Sequence, residues 1–164
     1  MSDHIEYKIN LIGIEEAKQI VKWRYQDPYS IYNMDETDEC LNELLNGSYY
    51  SVTDSQDNLI GYFCFGKSAQ VPADNAFGAY SDDSYADIGL GIRPDLCGKG
   101  FGLGFLKAGI VFACREFSAE KFRLTVAGYN ERAIKVYERA GFVKEISFER
   151  VSEKGSIAFW VMTL

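Results

Sequence analysis

The stretch IGLGIRPDLCGKGFGLGFLKAGI, residues 88–110, gathers the residue types that can hold a phosphate. An apolar, strand-like run ends near Ile92. A turn follows in which Gly98, Gly100, Gly102 and Gly104 alternate with Lys99, Phe101 and Leu103, and a helical pattern begins there. Glycine lets backbone N–H groups approach a ligand with no Cβ in the way. The first N–H groups of a helix lack intrahelical partners, and the dipole adds partial positive charge. A diphosphate suits such a place. Neither common phosphate motif fits this turn. No Lys-Ser or Lys-Thr follows Gly100, as a P-loop would require. Leu103 or Phe105 stands where a dinucleotide fingerprint needs its third glycine. The plain alternative is a strand-to-helix turn that holds no ligand.

A second segment, KFRLTVAGYNERAIKVYERAGF (residues 121–142), reads as strand, Asn130, helix and Gly141-Phe142. Asn130 is a good N-cap and Gly141 is placed to end the helix. Tyr137 lies two helical turns beyond Asn130, on the same face and about 10.5 Å along the axis. An extended ligand running down that face could meet both.

Together these segments resemble the GNAT superfamily of acetyl-CoA-dependent N-acetyltransferases. One hallmark of that family is (Gln/Arg)-x-x-Gly-x-(Gly/Ala) after the fourth strand. Residues 97–102, Cys-Gly-Lys-Gly-Phe-Gly, match it at Gly100 and Gly102 and depart from it at Cys97. The other hallmark is Asn, then Ala, then Tyr-Glu-x-x-Gly-Phe, matched in order by Asn130, Ala133, Tyr137, Glu138, Gly141 and Phe142. The resemblance covers residues 85–148 by motif and the rest by element order.

The resemblance implies a set of roles. Leu90, Gly91 and Ile92 would pair by backbone with the pantetheine arm of acetyl-CoA, like an added strand. Amides of Gly98, Lys99, Gly100, Phe101 and Gly102 would hold the diphosphate, and Cys97, at the hallmark's first position, would be a cofactor-binding residue beside them. Asn130 would bond the pantetheine and Ala133 would line the same helix start. Tyr137 would be the general acid, donating to the leaving sulfur; otherwise it is a core tyrosine on an amphipathic helix. Transfer would be direct, in a ternary complex that gains mostly from orientation. Cys97 as an acyl-carrying nucleophile is the rival route, with only Lys99 nearby to lower its pKa. Asp87 is the candidate general base. It begins the strand that feeds the glycine turn and shares a face with Tyr85, Gly89 and Gly91; otherwise it is a solvated strand-end carboxylate. The wall for the acceptor would come from Trp23, Arg24, Tyr25, Asp27, Tyr29, Tyr32 and Asp35. Of these, Tyr25, Tyr29 and Tyr32 are the candidate substrate-binding residues. Rings and carboxylates there suit a cationic or amphipathic amine, a small molecule or a peptide N-terminus. The loop at 66–84, with Phe77 and Tyr80, could cover the site. An acetyl-CoA-binding sensor or structural module without turnover is the reading from a different class.

These residues must be positioned by the elements around them. Strand patterns fall at 5–12, Tyr49–Thr53, Leu59–Phe65, Tyr85–Ile92, Phe122–Val126, Val143–Phe148 and Ile157–Met162. Helical patterns fall at Ile14–Trp23, Glu36–Leu45, Gly100–Phe117 and Glu131–Ala140. On the third, Leu103, Leu106, Ile110, Ala113 and Phe117 form the apolar stripe. The order is β-α-α-β-β-β-α-β-α-β-β. It implies an α/β fold of the GNAT three-layer type, with a mixed, mostly antiparallel sheet of about seven strands and helices on both faces. With 164 residues, 47% apolar, and no repeat or linker, a single domain spanning 1–164 is expected. A formal net charge of −7 disfavours sequence-independent nucleic-acid binding. No apolar run approaches a membrane span, and the N-terminus lacks a signal-peptide pattern. Cysteines at 40, 64, 97 and 114 lack CxxC spacing and the single histidine is His4, so neither a metal site nor a disulfide framework is expected. Free thiols suggest a cytoplasmic protein. A homodimer is left open.

Overall fold

The computed structural model describes residues 6–73, 76, 78–153 and 155–164. His4, the first residue of the expected opening strand, Ile5, and the loop residue Phe77 lie outside the described residues. The chain divides into two compact units, one formed by residues up to Cys64 with Leu90–Lys99, the other by Phe65–Gly89 with Gly100–Leu164.

In the first unit, β1 (Lys8–Leu11), β2 (Tyr49–Thr53) and β3 (Leu59–Phe65, its last residue belonging to the second unit) pair antiparallel in sequence order. The β2–β3 hairpin turns through Asp54, whose carboxylate accepts from the amides of Gln56 and Asn58. Helix α1 (Ile14–Ile20) carries Glu15 and Glu16 in its first turn, where the dipole favours them. Ala17, Ile20 and the following Val21 bury its stripe, and Ile12, Leu44, Val52 and Phe63 are buried in the same unit. Helix α2 (Asp38–Leu44) is capped by Thr37, whose hydroxyl accepts from Cys40 N at 3.2 Å. It ends before Gly47, which takes the positive φ of +92° that glycine adopts freely. The aromatic loop between the helices contains a 3₁₀ turn at Tyr29–Tyr32.

In the second unit, β4 (Tyr85–Ile92, its last three residues belonging to the first unit) runs parallel to β5 (Lys121–Ala127). β7 (Gly155–Thr163) lies antiparallel between β5 and β6 (Val143–Ser152). The final hairpin is longer than its sequence pattern, because pairing continues through Arg150↔Ile157 to Ser152↔Gly155. Helices α3 (Gly102–Phe117) and α4 (Glu131–Arg139) complete the unit. The stripe of α3 is rotated from the expected one. Phe105, Leu106, Gly109 and Ala113 are the buried set, while Leu103 and Ile110 are only half-buried and Phe117 is exposed. Phe117 instead packs edge-on against Phe65 at 5.2 Å. The described residues thus hold seven strands, one parallel pair among antiparallel ones, with four α-helices. This is the mixed α/β class expected, in the expected order.

Candidate functional site

The parallel register of β4 and β5 lasts only from Tyr85↔Lys121 to Asp87↔Arg123. Within the second unit, this pairing of β4 with β5 ends at Asp87.

In the first unit, the end of β4 is crowded by side chains. The Tyr25 hydroxyl donates to the Ile92 carbonyl at 2.7 Å, and the Cys97 thiol approaches the same oxygen at 3.6 Å. Burial pushes the Tyr25 phenol well up from its ordinary pKa, with Cys97 adding to the rise. Tyr25 therefore remains a donor at neutral pH. The Ile92 carbonyl, expected to meet pantetheine, is engaged within the protein; a ligand strand would be left Leu90, Gly91 and the Ile92 amide. The Cys97 amide closes a short 3₁₀ turn (Pro94–Leu96) by donating to Pro94 O at 3.2 Å. The Cys97 amide is thus engaged within the turn, and the expected set of diphosphate-binding amides begins after it, at Gly98. Its thiol proton points at carbonyls, which gives no help to thiolate formation. Asn33 Oδ1 accepts from the Tyr25 amide at 2.6 Å and ties it to the end of the Tyr29–Tyr32 turn. Tyr29 is half-buried and Tyr32 is 37% exposed.

Tyr62 was not foreseen. Its ring lies against Gly91, where any Cβ would overlap Cε1 and sit 2.5 Å from Cζ. Trp23 and Tyr49 flank the same ring at centroid distances of 6.2 and 6.1 Å. Strand alternation alone gave Tyr62 no functional mark.

The glycine turn has the conformation its composition suggested. Gly98 and Gly100 take φ of +74° and +85°. Open space lies where Cβ atoms of Gly100 and Gly104 would project. Gly102 faces Val136 of α4, and a Cβ there would come within 3.3 Å. Helix α3 starts after Phe101 with no side-chain cap, and its first backbone bond runs from Phe105 N to Phe101 O at 3.0 Å. The turn at Cys97–Gly98 is closed by the Lys99 amide, while among the described residues the backbone bonds outside helices and strands include none donated by the amides of Gly98 or of Gly100 through Gly104. Residues 61–68 also spell Gly-x-x-x-x-Gly-Lys-Ser, but the four intervening residues are extended within β3, so they form no phosphate-wrapping loop.

In the second unit, Asn130 is the N-cap of α4, its Oδ1 accepting from Ala133 N at 3.2 Å. Tyr137 is half-buried on the same face two turns on, with Phe142 at 6.3 Å. Gly141 ends the helix at φ +105°. Asp87 is neither solvated nor loosely held. It is 5% exposed, and Arg123 grips it with Nε–Oδ1 2.7 Å and Nη2–Oδ2 2.8 Å, joined by Gln70 Nε2 at 2.9 Å. In return the carboxylate raises the pKa of the guanidinium. Arg123 also donates to Asp82 O at 3.1 Å. The Tyr80 hydroxyl accepts from Val71 N and pairs with Thr125 Oγ1 at 2.7 Å. Gln70, Tyr80 and Asp82 are thus fastened to β4 and β5 by polar contacts. The sequence signal for Arg123 was available, since a charge inside the apolar run KFRLTVA needs a buried partner.

The sequence matches the acetyltransferase (GNAT) family over residues 14–142. A curated relative, the mycothiol acetyltransferase of Propionibacterium freudenreichii subsp. shermanii, is 51% identical over 53 residues, which are 32% of this chain and only 17% of that protein. The spermidine N(1)-acetyltransferase of Vibrio cholerae is 26% identical over 136 residues, covering 81% of this chain and 71% of the relative. Among solved structures, the dodecameric spermidine N-acetyltransferase from Vibrio cholerae superposes with a TM-score of 0.67 at 21% identity, covering 96% and 92% of the two chains. A GNAT-family acetyltransferase from Bacillus anthracis gives 0.67 at 15% identity, covering 98% and 96%. At these identities the structural likeness speaks for the fold.

Proposed function

This chain belongs to the acetyltransferase (GNAT) family, and from that premise we propose that it moves an acetyl group from acetyl-CoA to a primary amine, directly and in a ternary complex. The observation that carries this reading is the set of amides from Gly100 to Gly104 at the start of α3 that no backbone bond outside the helix takes up, opened by two left-handed glycines. A diphosphate supplies the acceptors such amides lack. Gly98, Lys99, Gly100, Phe101 and Gly102 hold it, and Leu90, Gly91 and the Ile92 amide meet the pantetheine. Asn130 both caps α4 and contacts the cofactor at that helix start, beside Ala133.

The amine nitrogen attacks the thioester carbon, the C–S bond breaks, and Tyr137 gives the leaving sulfur a proton. The proton lost by the amine goes to water. Asp87 is not the base in this reading, because its oxygens are committed to Arg123 and Gln70. Tyr25, Tyr29 and Tyr32 line the acceptor side. The acceptor class is a cationic amine. A net charge of −7 and aromatic rings favour it, and a relative named for spermidine points the same way. The whole chain acts as one domain.

The test is CoA release across polyamines, amino acids, aminoglycosides and peptide N-termini, with wild type and Tyr137→Phe. The phenylalanine variant loses kcat by about 10-fold or more while keeping its affinity for acetyl-CoA, as removal of one proton donor requires. An unchanged rate removes Tyr137 from the mechanism. Tight acetyl-CoA binding without turnover on any amine makes the protein a binding module instead.

A further inference from the structure

Arg93 stands immediately before the turn that leads to the glycines, and every polar group it has is used. Its amide donates to Ile60 O at 2.9 Å, and its Nη1 donates to Leu59 O at 2.9 Å. Its Nε and Nη2 form a fork on Asp95, at 2.6 and 3.1 Å. Its carbonyl accepts from Leu96 N at 2.9 Å and is approached by the Cys97 thiol at 3.7 Å. The side chain therefore joins two things in the first unit, the start of β3 and the 3₁₀ turn Pro94–Leu96. Beyond that turn come Cys97, then Gly98 at φ +74°.

Glycine-rich backbone is costly to order, and nothing in the glycines themselves selects one conformation. Selection must come from the flanks. On the upstream flank the described contacts converge on Arg93. A lysine could not reproduce them, because the planar guanidinium satisfies Asp95 with two donors and Leu59 O with a third.

We propose that Arg93 is a positioning residue for the diphosphate-binding turn, holding Pro94–Lys99 against the start of β3 with Asp95 orienting its guanidinium. It touches neither cofactor nor substrate, and it is not part of the chemistry. The proposal rests on the acetyl-CoA reading above. It goes beyond that reading by assigning the shape of the turn to a side chain outside the hallmark motifs.

The experiment compares two donors, acetyl-CoA and acetyl-pantetheine, the second lacking the diphosphate and nucleotide. Wild type, Arg93→Ala, Arg93→Lys and Asp95→Asn are assayed with both, and acetyl-CoA binding is measured by calorimetry. Arg93→Ala raises KM and Kd for acetyl-CoA by about 10-fold or more, with kcat at saturation within about two-fold. Its kcat/KM for acetyl-pantetheine stays at the wild-type value. Arg93→Lys and Asp95→Asn fall between wild type and alanine. A defect that was merely structural would lower kcat with both donors, and that outcome overturns the proposal. So does an unchanged acetyl-CoA affinity in Arg93→Ala. Should Arg93→Ala fail to fold, Asp95→Asn decides alone, since it frees the guanidinium without removing it. If wild type itself binds no acetyl-CoA, the donor reading falls and this inference falls with it.

Discussion

Strand β4 passes from the second unit to the first between Gly89 and Leu90, and an Arg–Asp pair serves each part of it. Asp87 in the second unit pairs with Arg123, a residue 36 positions away, and their side chains are 6% and 4% exposed. Arg93, just after the strand in the first unit, pairs with Asp95 two residues on, with side chains 33% and 62% exposed. Both pairs are forks with similar distances. What separates them is water. Exposed pairs contribute little to stability and are screened by salt, whereas removing one member of a buried pair strands an unsolvated charge. The first pair therefore holds the fold, and the second fixes a local shape.

The sharpest way to break this comparison is to remove the buried carboxylate. Asp87→Ala leaves the buried Arg123 with the Asp82 carbonyl, the Tyr80 and Tyr85 rings and the charge of Asp82, but without its carboxylate fork. It costs about 3–5 kcal/mol of stability, measured by urea unfolding. A loss under about 1 kcal/mol would put Asp87 in the same category as exposed pairs. It would also return Asp87 to candidacy as a base.

Gly91→Ala sharpens the comparison from the first unit. There β4 is held by ring contact more than by charge, and the new methyl would overlap Tyr62. The ring must swing away from Trp23 and Tyr49, at a cost of about 1–3 kcal/mol. Tyr62→Ala in the same background opens the space again, so the two changes together cost less than their sum. Strict additivity would mean the ring is not held against Gly91.

Sequence reading reached some of these features and not others, for physical reasons. β2, β3 and β4 were read with their observed bounds, because apolar runs flanked by Asn-Gly, Asp-Asn and Ser residues leave little choice. The glycine turn and Asn130 were legible because backbone conformation and capping depend on local residue type. The face of α3 was misjudged because Gly109 counts as nothing in a hydrophobic stripe, yet its lack of a side chain permits close packing. Asp87 was read as base or solvated end because its partner, Arg123, is distant in sequence and adjacent only in the parallel register. The roles of Tyr62 and Arg93 depend on β3 lying beside the segment that starts at Leu90, which no short-range pattern encodes.

The smallest expected effect concerns the exposed pair and its titration. The Arg93 side chain holds the Asp95 carboxyl below its ordinary value of 3.8, chiefly by hydrogen bonding. Asp54 also faces Arg93, and Lys99 acts weakly on Asp95. A carboxyl whose pKa is lower in the folded chain stabilises that chain above its unfolded pKa, and the contribution disappears as pH falls through the folded value. Asp95→Asn never has this contribution. The difference in urea midpoint between wild type and Asp95→Asn is therefore constant from pH 7 to about 5 and shrinks below about 4. Raised salt shrinks it at neutral pH as well, because both partners are reached by solvent. The matching salt titration leaves the deficit of Asp87→Ala nearly unchanged, since ions do not enter the site around Arg123. Equal salt sensitivity in the two deficits would show that burial does not separate the pairs. It would remove the ground for giving one a structural task and the other a positional one.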